Sequence, residues 1–301
     1  SAASGYAACI AFIRGLAGKS TENVGNFFVD LVRITTRILI PFSLVGGLLL
    51  VWQGVPQNFE GNVVVKTLEG TFQVIAMGPI AALEIIKHLG TNGGGFLGAN
   101  STTPLENPTI LSELYSMMLL PGACVITFGK MVRDRRHKDD DDDDDGKGGV
   151  SGGVMHSSRA DSQRGPRLGE HSLTASIYGR EGRSIFAAMG IIFLVGLSVC
   201  YWAELQGNPA LANIGLSQSM GSMEGKEVRF GIAQSAMFTT TTTSFTTGTV
   251  NNMHDTLTPL GGMIPLLHMM LNVVFGGKGV GLMNMIMYAI LAVFICGLMV
   301  G

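Results

Sequence analysis

The sequence predicts an all-α, polytopic membrane protein assembled from helix, pore-loop, helix units, and three observations carry this. Apolar residues make up 47% of the 301 positions and charged residues 14%, outside the range of ordinary soluble domains. Charge is absent from three long stretches, between Arg37 and Glu60, between Arg183 and Glu204, and after Lys278. Each is long enough for the roughly 20 residues that a helix needs to cross a hydrocarbon core. Between spanning segments, a short helix-like stretch followed by a Gly- or Thr-rich irregular segment occurs twice.

The elements follow in order. Ser1 to Ile13 reads as the tail of a further apolar segment, and a half-length segment that starts on a residue other than Met leads us to expect a chain cut from a longer one. No secretory n-region with a cleavage site is read in this sequence. The span after Arg37 ends near Val55; a connection leads to a weakly apolar helix-like stretch, Met77 to Leu89, then to Thr91–Gly95 and a turn-rich exit. The next span, Leu114 to Gly129, is short but borrows Ile110–Ser112 and Met131–Val132. Asp139–Asp145 is an unbroken run of aspartates before a Gly-, Ser- and Arg-rich tract reaching about Arg183. Such composition buries too little apolar surface to offset ordering entropy, so a disordered loop is expected, and the run lacks the interleaved spacing of an EF-hand. The span ending near Leu205 leads to a second helix-like stretch, Gly231–Phe245, then to Thr246–Val250, the exit NNMHDTLTPLGG and a last apolar segment broken by GGKGVG. The expected divisions are 1–20, the end of one repeat; 21–133, a repeat with its pore loop at 77–100; 134–183, the disordered loop; and 184–301, a repeat with its pore loop at 231–252.

Basic residues orient the chain. Arg14, Lys19, Arg33 and Arg37 lie in the first connection, and eleven of the twenty Lys and Arg lie in the third. The positive-inside bias makes both cytoplasmic, including 134–183, and puts the pore loops outside. Cys9, Cys124, Cys200 and Cys296 fall in different apolar segments without CxxC spacing and read as small core hydrophobes.

Gly93-x-Gly95-x-x-Gly98 matches the spacing of a dinucleotide fingerprint. The context contradicts it: GPIAALEIIKHL before it is helix-like, and NSTTPLENPT after it is turn-rich. No nucleotide is therefore expected on this chain, and a membrane enzyme using this loop is the least favoured reading. Irregular backbone survives at membrane depth only when buried in protein or lining a water-filled cavity. Glycines can turn successive carbonyls toward one axis, and threonine hydroxyls add uncharged oxygens, which together replace the hydration shell of a monovalent cation. The C-terminal end of a preceding helix adds partial negative charge.

Several strings resemble one family. GTNGGGFLGANSTTPLENPT (Gly90 to Thr109), WAELQGNP (Trp202 to Pro209), MEGKEVRFG (Met223 to Gly231) and MHDTLTPLGGMIP (Met253 to Pro265) look like the potassium-binding A subunit of Kdp-type potassium-transporting P-type ATPases, over nearly all the chain except the acidic loop. The resemblance implies the architecture of the potassium channel and transporter superfamily, four repeats each donating one filter strand. Here it implies a potassium selectivity filter from Thr91, Asn92, Gly93, Gly94 and Gly95 of one repeat and Thr246, Thr247 and Gly248 of the next, with the first and fourth strands outside this chain. It implies a non-catalytic subunit that binds extracellular K⁺ and passes it through an intramembrane tunnel to the ATPase (B) subunit, with two small subunits (C and F), in a bacterial inner membrane. Lipid is a partner and nucleic acid is not. The sequence agrees in lacking the Asp-Lys-Thr-Gly phosphorylation signature.

The third loop, TSFTTGTVNN, departs from the family's smaller, Ala-, Ser- and Cys-rich pattern, though Gly248 still aligns with the filter glycine. The break Gly276, Gly277, Lys278, Gly279 implies an intramembrane constriction. Lys278 either repels cations as a gate or sits at a more polar depth, and the second is favoured because a charge at the bilayer centre is costly. His254-Asp255 reads as a cap rather than a proton or cation site, and Glu84 with Lys87 as an i,i+3 ion pair. The alternative function is a stand-alone potassium channel or ion-coupled symporter of the same superfamily.

Overall fold

The computed structural model describes residues 1–17, 24–146 and 180–300. Among these, the fold is helical: α1 Ala2–Ala17, α2 Phe27–Ile34 running through a π-helical turn Thr35–Leu39 into α3 Ile40–Trp52, α4 Ile80–Leu89 and α5 Ile110–Gly146. After the second gap come α6 Arg180–Leu205, α7 Pro209–Asn213, α8 Gly231–Ser244, α9 Pro259–Leu271 and α10 Val280–Val300. Four helical stretches are long and apolar enough to cross a membrane: Phe27–Trp52, Glu113–Val132, Gly182–Asn213 and Val280–Val300. The chain is a polytopic membrane protein.

Local chemistry sets the boundaries. Asn26 starts α2, its Oδ1 accepting from Phe28 N at 3.0 Å and Val29 N at 3.2 Å. The π turn lies just before Pro41, which has no N–H to donate and whose ring crowds the preceding turn; widening that turn keeps the span continuous. Gly54, at φ +100°, closes it. Only 6% of the apolar window of α10 and 11% of that of Phe27–Trp52 is buried within the protein, as suits helices that meet an apolar surrounding.

The two repeats share one packing scheme. α4 packs between α3 and α5, and α8 packs between α6 and α9, so each short helix is held by the helices on either side of it. α5 joins the units by contacting both α6 and α8, and α1 packs on α2, α5 and α10. The largest buried cluster gathers Tyr6, Ile13, Cys124, Met189, Phe193 and Leu282 around the stacked rings of Phe245 and Phe275, whose centroids lie 4.7 Å apart. That stack fixes the residue following α8 against the break between α9 and α10.

Three expectations change. The acidic run is not a coil where it is described: α5 continues through Asp139–Asp145 to Gly146, since each residue added to an existing helix gains a hydrogen bond without a new nucleus. The rest of the expected disordered loop, 147–179, lies outside the described residues. The connection after α3 contains an exposed antiparallel hairpin, β1 Val63–Lys66 and β2 Phe72–Ile75, with Val63 opposite Ile75 and Lys66 opposite Phe72. Cys9, Cys124 and Cys200 are buried as expected, whereas Cys296 is exposed on α10.

Candidate functional site

α4 and α8 end alike. Beyond α4, Asn92 N–H donates to Lys87 O at 3.0 Å; beyond α8, Thr247 N–H donates to Thr242 O at 2.9 Å, in both cases a bond reaching back five residues. Each bond forces a left-handed residue, and in each loop that residue is a threonine, Thr91 at φ +48° and Thr246 at φ +52°. A β-branched residue rarely adopts this conformation. Two residues on, each loop has a positive-φ glycine, Gly93 at +69° and Gly248 at +88°. The structural register therefore pairs Thr91 with Thr246, Asn92 with Thr247 and Gly93 with Gly248.

The strands meet at these glycines. A Cβ on Gly93 would collide with Thr247 O and lie 2.8 Å from Gly248 C and 2.9 Å from Thr249 N, so this backbone approach requires glycine. A Cβ on Gly248 would meet nothing nearer than Asn92 O at 4.0 Å. Val250 N–H donates to Asn100 O at 2.9 Å and ties the two loops together. The hydroxyls of Thr91 and Thr247 are buried without a hydrogen-bond partner among the described residues. Glu106 braces the first loop from behind, accepting from Leu97 N at 2.6 Å and Thr103 Oγ1 at 3.1 Å. The Thr run of α8 divides its work: Thr243 Oγ1 and Ser244 Oγ back-bond to Thr239 O and Thr240 O at 2.8 Å and 2.6 Å, while Thr242 Oγ1 accepts from Gly248 N at 3.0 Å.

The break lies against both strands. Gly276, Gly277 and Gly279 all have positive φ, and Gly276 N–H donates to Ser244 O at 2.9 Å. A Cβ on Gly277 would collide with Thr246 Oγ1 and lie 3.3 Å from Thr91 Oγ1. Lys278 Nζ donates to Asn92 Oδ1 at 2.8 Å and Ser1 Oγ at 3.0 Å. The structure thus brings Thr91, Asn92, Gly93, Thr246, Thr247, Gly248, Gly277 and Lys278 together and sets Gly276 against Ser244, whereas a Cβ on Gly94 would face Asn100 and Lys87, one on Gly95 Glu106 and one on Gly279 Cys9.

One smaller expectation is corrected. Glu84 does not pair with Lys87: its carboxylate turns inward to Ser101 Oγ and lies 3.4 Å from His88 Nε2, because the inward face of α4 carries positions 84 and 88. The helix cap beyond His254-Asp255 is Thr258, whose Oγ1 accepts from Gly261 N at 3.2 Å at the start of α9. Burial pushes His254 toward its neutral form, with Asp255 opposing.

Sequence reasoning missed a clamp that unites all four family-like strings. Glu204 Oε1 accepts from Thr258 N at 2.8 Å and Thr258 Oγ1 at 2.7 Å, and Glu204 Oε2 pairs with Lys226 Nζ at 2.7 Å, both charged side chains being 0% exposed. Arg229 then donates to Pro108 O at 2.9 Å and Asn107 O at 2.7 Å. Each string contributes at least one partner, but Glu204 and Lys226 lie too far apart in the chain for spacing to pair them.

Comparison with known proteins agrees with the geometry. The family model for the potassium-transporting ATPase A subunit matches residues 1–139 and 175–301, passing over most of the acidic run and the tract after it. A potassium-transporting ATPase potassium-binding subunit of Staphylococcus haemolyticus is 50% identical over 304 residues, covering 100% of this chain and 47% of that relative. In Staphylococcus aureus, potassium-binding subunit 2 is 50% identical and subunit 1 is 49% identical, with the same coverage. The chain spans about half the length of the curated relatives it matches. With the fold, the paired loops and these matches in hand, the chain belongs to the potassium-transporting ATPase A subunit family.

Proposed function

We propose that this chain provides two strands of a potassium selectivity filter, Thr91–Gly95 and Thr246–Gly248, within the ion-binding subunit of an ATP-driven potassium uptake pump. The observation that carries this reading is the shared ending of α4 and α8: a reach-back bond, a left-handed threonine and a positive-φ glycine, repeated in two loops that touch. Strands of this form present neutral oxygens, which exchange with the water around K⁺ at little net cost and let the ion leave again. The C-terminal ends of α4 and α8 add partial negative charge beside them. The remaining strands come from the part of the relatives' length that this chain does not span.

On this reading the loops face outside and K⁺ arrives from there. Gly276, Gly277, Lys278 and Gly279 form the constriction beneath the filter. The ammonium of Lys278, held on Asn92 Oδ1, sits where it opposes entry of a second cation, so the gating role gains support over the polar-depth reading. Beyond it K⁺ enters an intramembrane tunnel to the ATPase (B) subunit, with the C and F subunits completing the complex. Rubidium uptake into vesicles against an opposing gradient tests this. Uptake should require both the ATPase partner and ATP; downhill uptake without either would make the protein a channel.

A further inference from the structure

Between α4 and the start of α5 lies a buried cluster of two carboxylates and an imidazole. Glu84 and His88 share one face of α4 at i and i+4, and Glu113 comes from the first turn of α5. One ligand atom from each lies within 4.8 Å of the others, and all three residues are 0% exposed. Glu84 Oε1 accepts from Ser101 Oγ. Its other oxygen, both oxygens of Glu113 and His88 Nδ1 have no hydrogen-bond partner among the described residues. The neighbouring groups are committed elsewhere: Glu106 to Leu97 N and Thr103 Oγ1, and Arg229 to two carbonyls and to Glu227 at 3.2 Å. Two carboxylates buried together, with three of their four oxygens lacking a hydrogen bond and no Lys or Arg ion pair to either among the described residues, are strongly unfavourable.

We propose that Glu84, His88 and Glu113 bind a divalent transition-metal cation of the zinc type, separately from the potassium path. Imidazole nitrogen and carboxylate oxygen are both ligands of such an ion, and Glu84 and His88 offer two of the three donors one helical turn apart. Donors held about 2.0–2.2 Å from one tetrahedral ion lie about 3.3–3.6 Å apart, so the ligand atoms, now within 4.8 Å of one another, close on the ion by side-chain movements of up to about 1.5 Å. Imidazole argues against magnesium or calcium, which take oxygen ligands. Water or Ser101 Oγ completes the coordination. The ion neutralises the two carboxylates and ties α4 to α5, steadying the helix that ends in Thr91.

The test uses the intact protein purified in detergent with its partner subunits, stripped by a chelator and titrated with Zn²⁺ alone, then with Co²⁺ as a spectroscopic probe. Elemental mass spectrometry should find one equivalent per chain, and Co²⁺ should show visible d–d absorption. His88→Gln and Glu113→Gln should each bind at least about tenfold more weakly, while His254→Gln binds as the parent does. Failure to retain Zn²⁺ or Co²⁺ stoichiometrically, or retention undiminished in folded His88→Gln, overturns the proposal. Should Glu113→Gln fail to fold, His88→Gln decides alone, because carboxamide and neutral imidazole are both uncharged and polar.

Discussion

Replacing Gly93 by alanine should damage potassium selection far more than the same change at Gly248, although the two glycines occupy equivalent positions. Both have positive φ, +69° and +88°, so alanine at either carries the left-handed penalty of about 1–2 kcal/mol. At Gly248 that is nearly the whole effect, since the nearest atom to a new Cβ is 4.0 Å away. At Gly93 the Cβ would stand 2.8 Å from Gly248 C and 2.9 Å from Thr249 N, backbone atoms that cannot swing aside as a side chain would. Forcing the strands apart adds about 1–3 kcal/mol, giving roughly 2–5 kcal/mol at Gly93. At 1.4 kcal/mol per tenfold, apparent K⁺ affinity should weaken about 5- to 30-fold for Gly248→Ala and roughly 30-fold to several thousand-fold for Gly93→Ala. K⁺-stimulated ATP hydrolysis by the intact complex, titrated with K⁺ and with Rb⁺, measures both. Equal losses, or a larger loss at Gly248, would refute the close approach of the strands.

Other outcomes follow from the same geometry. Gly93→Asp or Gly248→Asp puts a carboxylate among neutral oxygens and should weaken K⁺ affinity or admit other cations; unchanged affinity and selectivity in both would remove the filter assignment. Lys226→Met strands the buried carboxylate of Glu204, so thermal unfolding should show a loss of about 3–5 kcal/mol, largely recovered in Glu204→Gln/Lys226→Met, which removes the charge but keeps an acceptor for Thr258. Parental stability in Lys226→Met would mean that the clamp is not a buried ion pair in solution. Lys278→Met should raise the K⁺ transport rate and loosen its control by the ATPase, and a rate that falls with control intact would contradict the gate.

Much of the architecture was legible because membrane solvation writes itself into sequence. Charge-free stretches gave the spans, and the loops after Leu89 and Ser244 stood out because glycine and threonine are chosen there for backbone shape. What escaped was non-local or locally ambiguous. Nothing within a few residues of Glu204 shows that Lys226 and Thr258 meet it. Glu84 had a plausible partner at i+3 and a different one across the loop, and only the inward turn of α4 decides between Lys87 and Ser101. The hairpin Val63–Ile75 carried a β-branched run and a TLEG turn, but with both faces exposed it lacked the alternation that marks a half-buried strand. The helix through Asp139–Asp145 runs against composition, and continuity with α5 prevailed.

On the proposed reading the two loops hold potassium. Anomalous scattering from Rb⁺ bound to the intact complex locates the ion directly. The expected density lies between Thr91–Gly95 and Thr246–Gly248, on the far side of Gly277 from the tunnel. Density elsewhere in the membrane region, with none beside these strands, would contradict it.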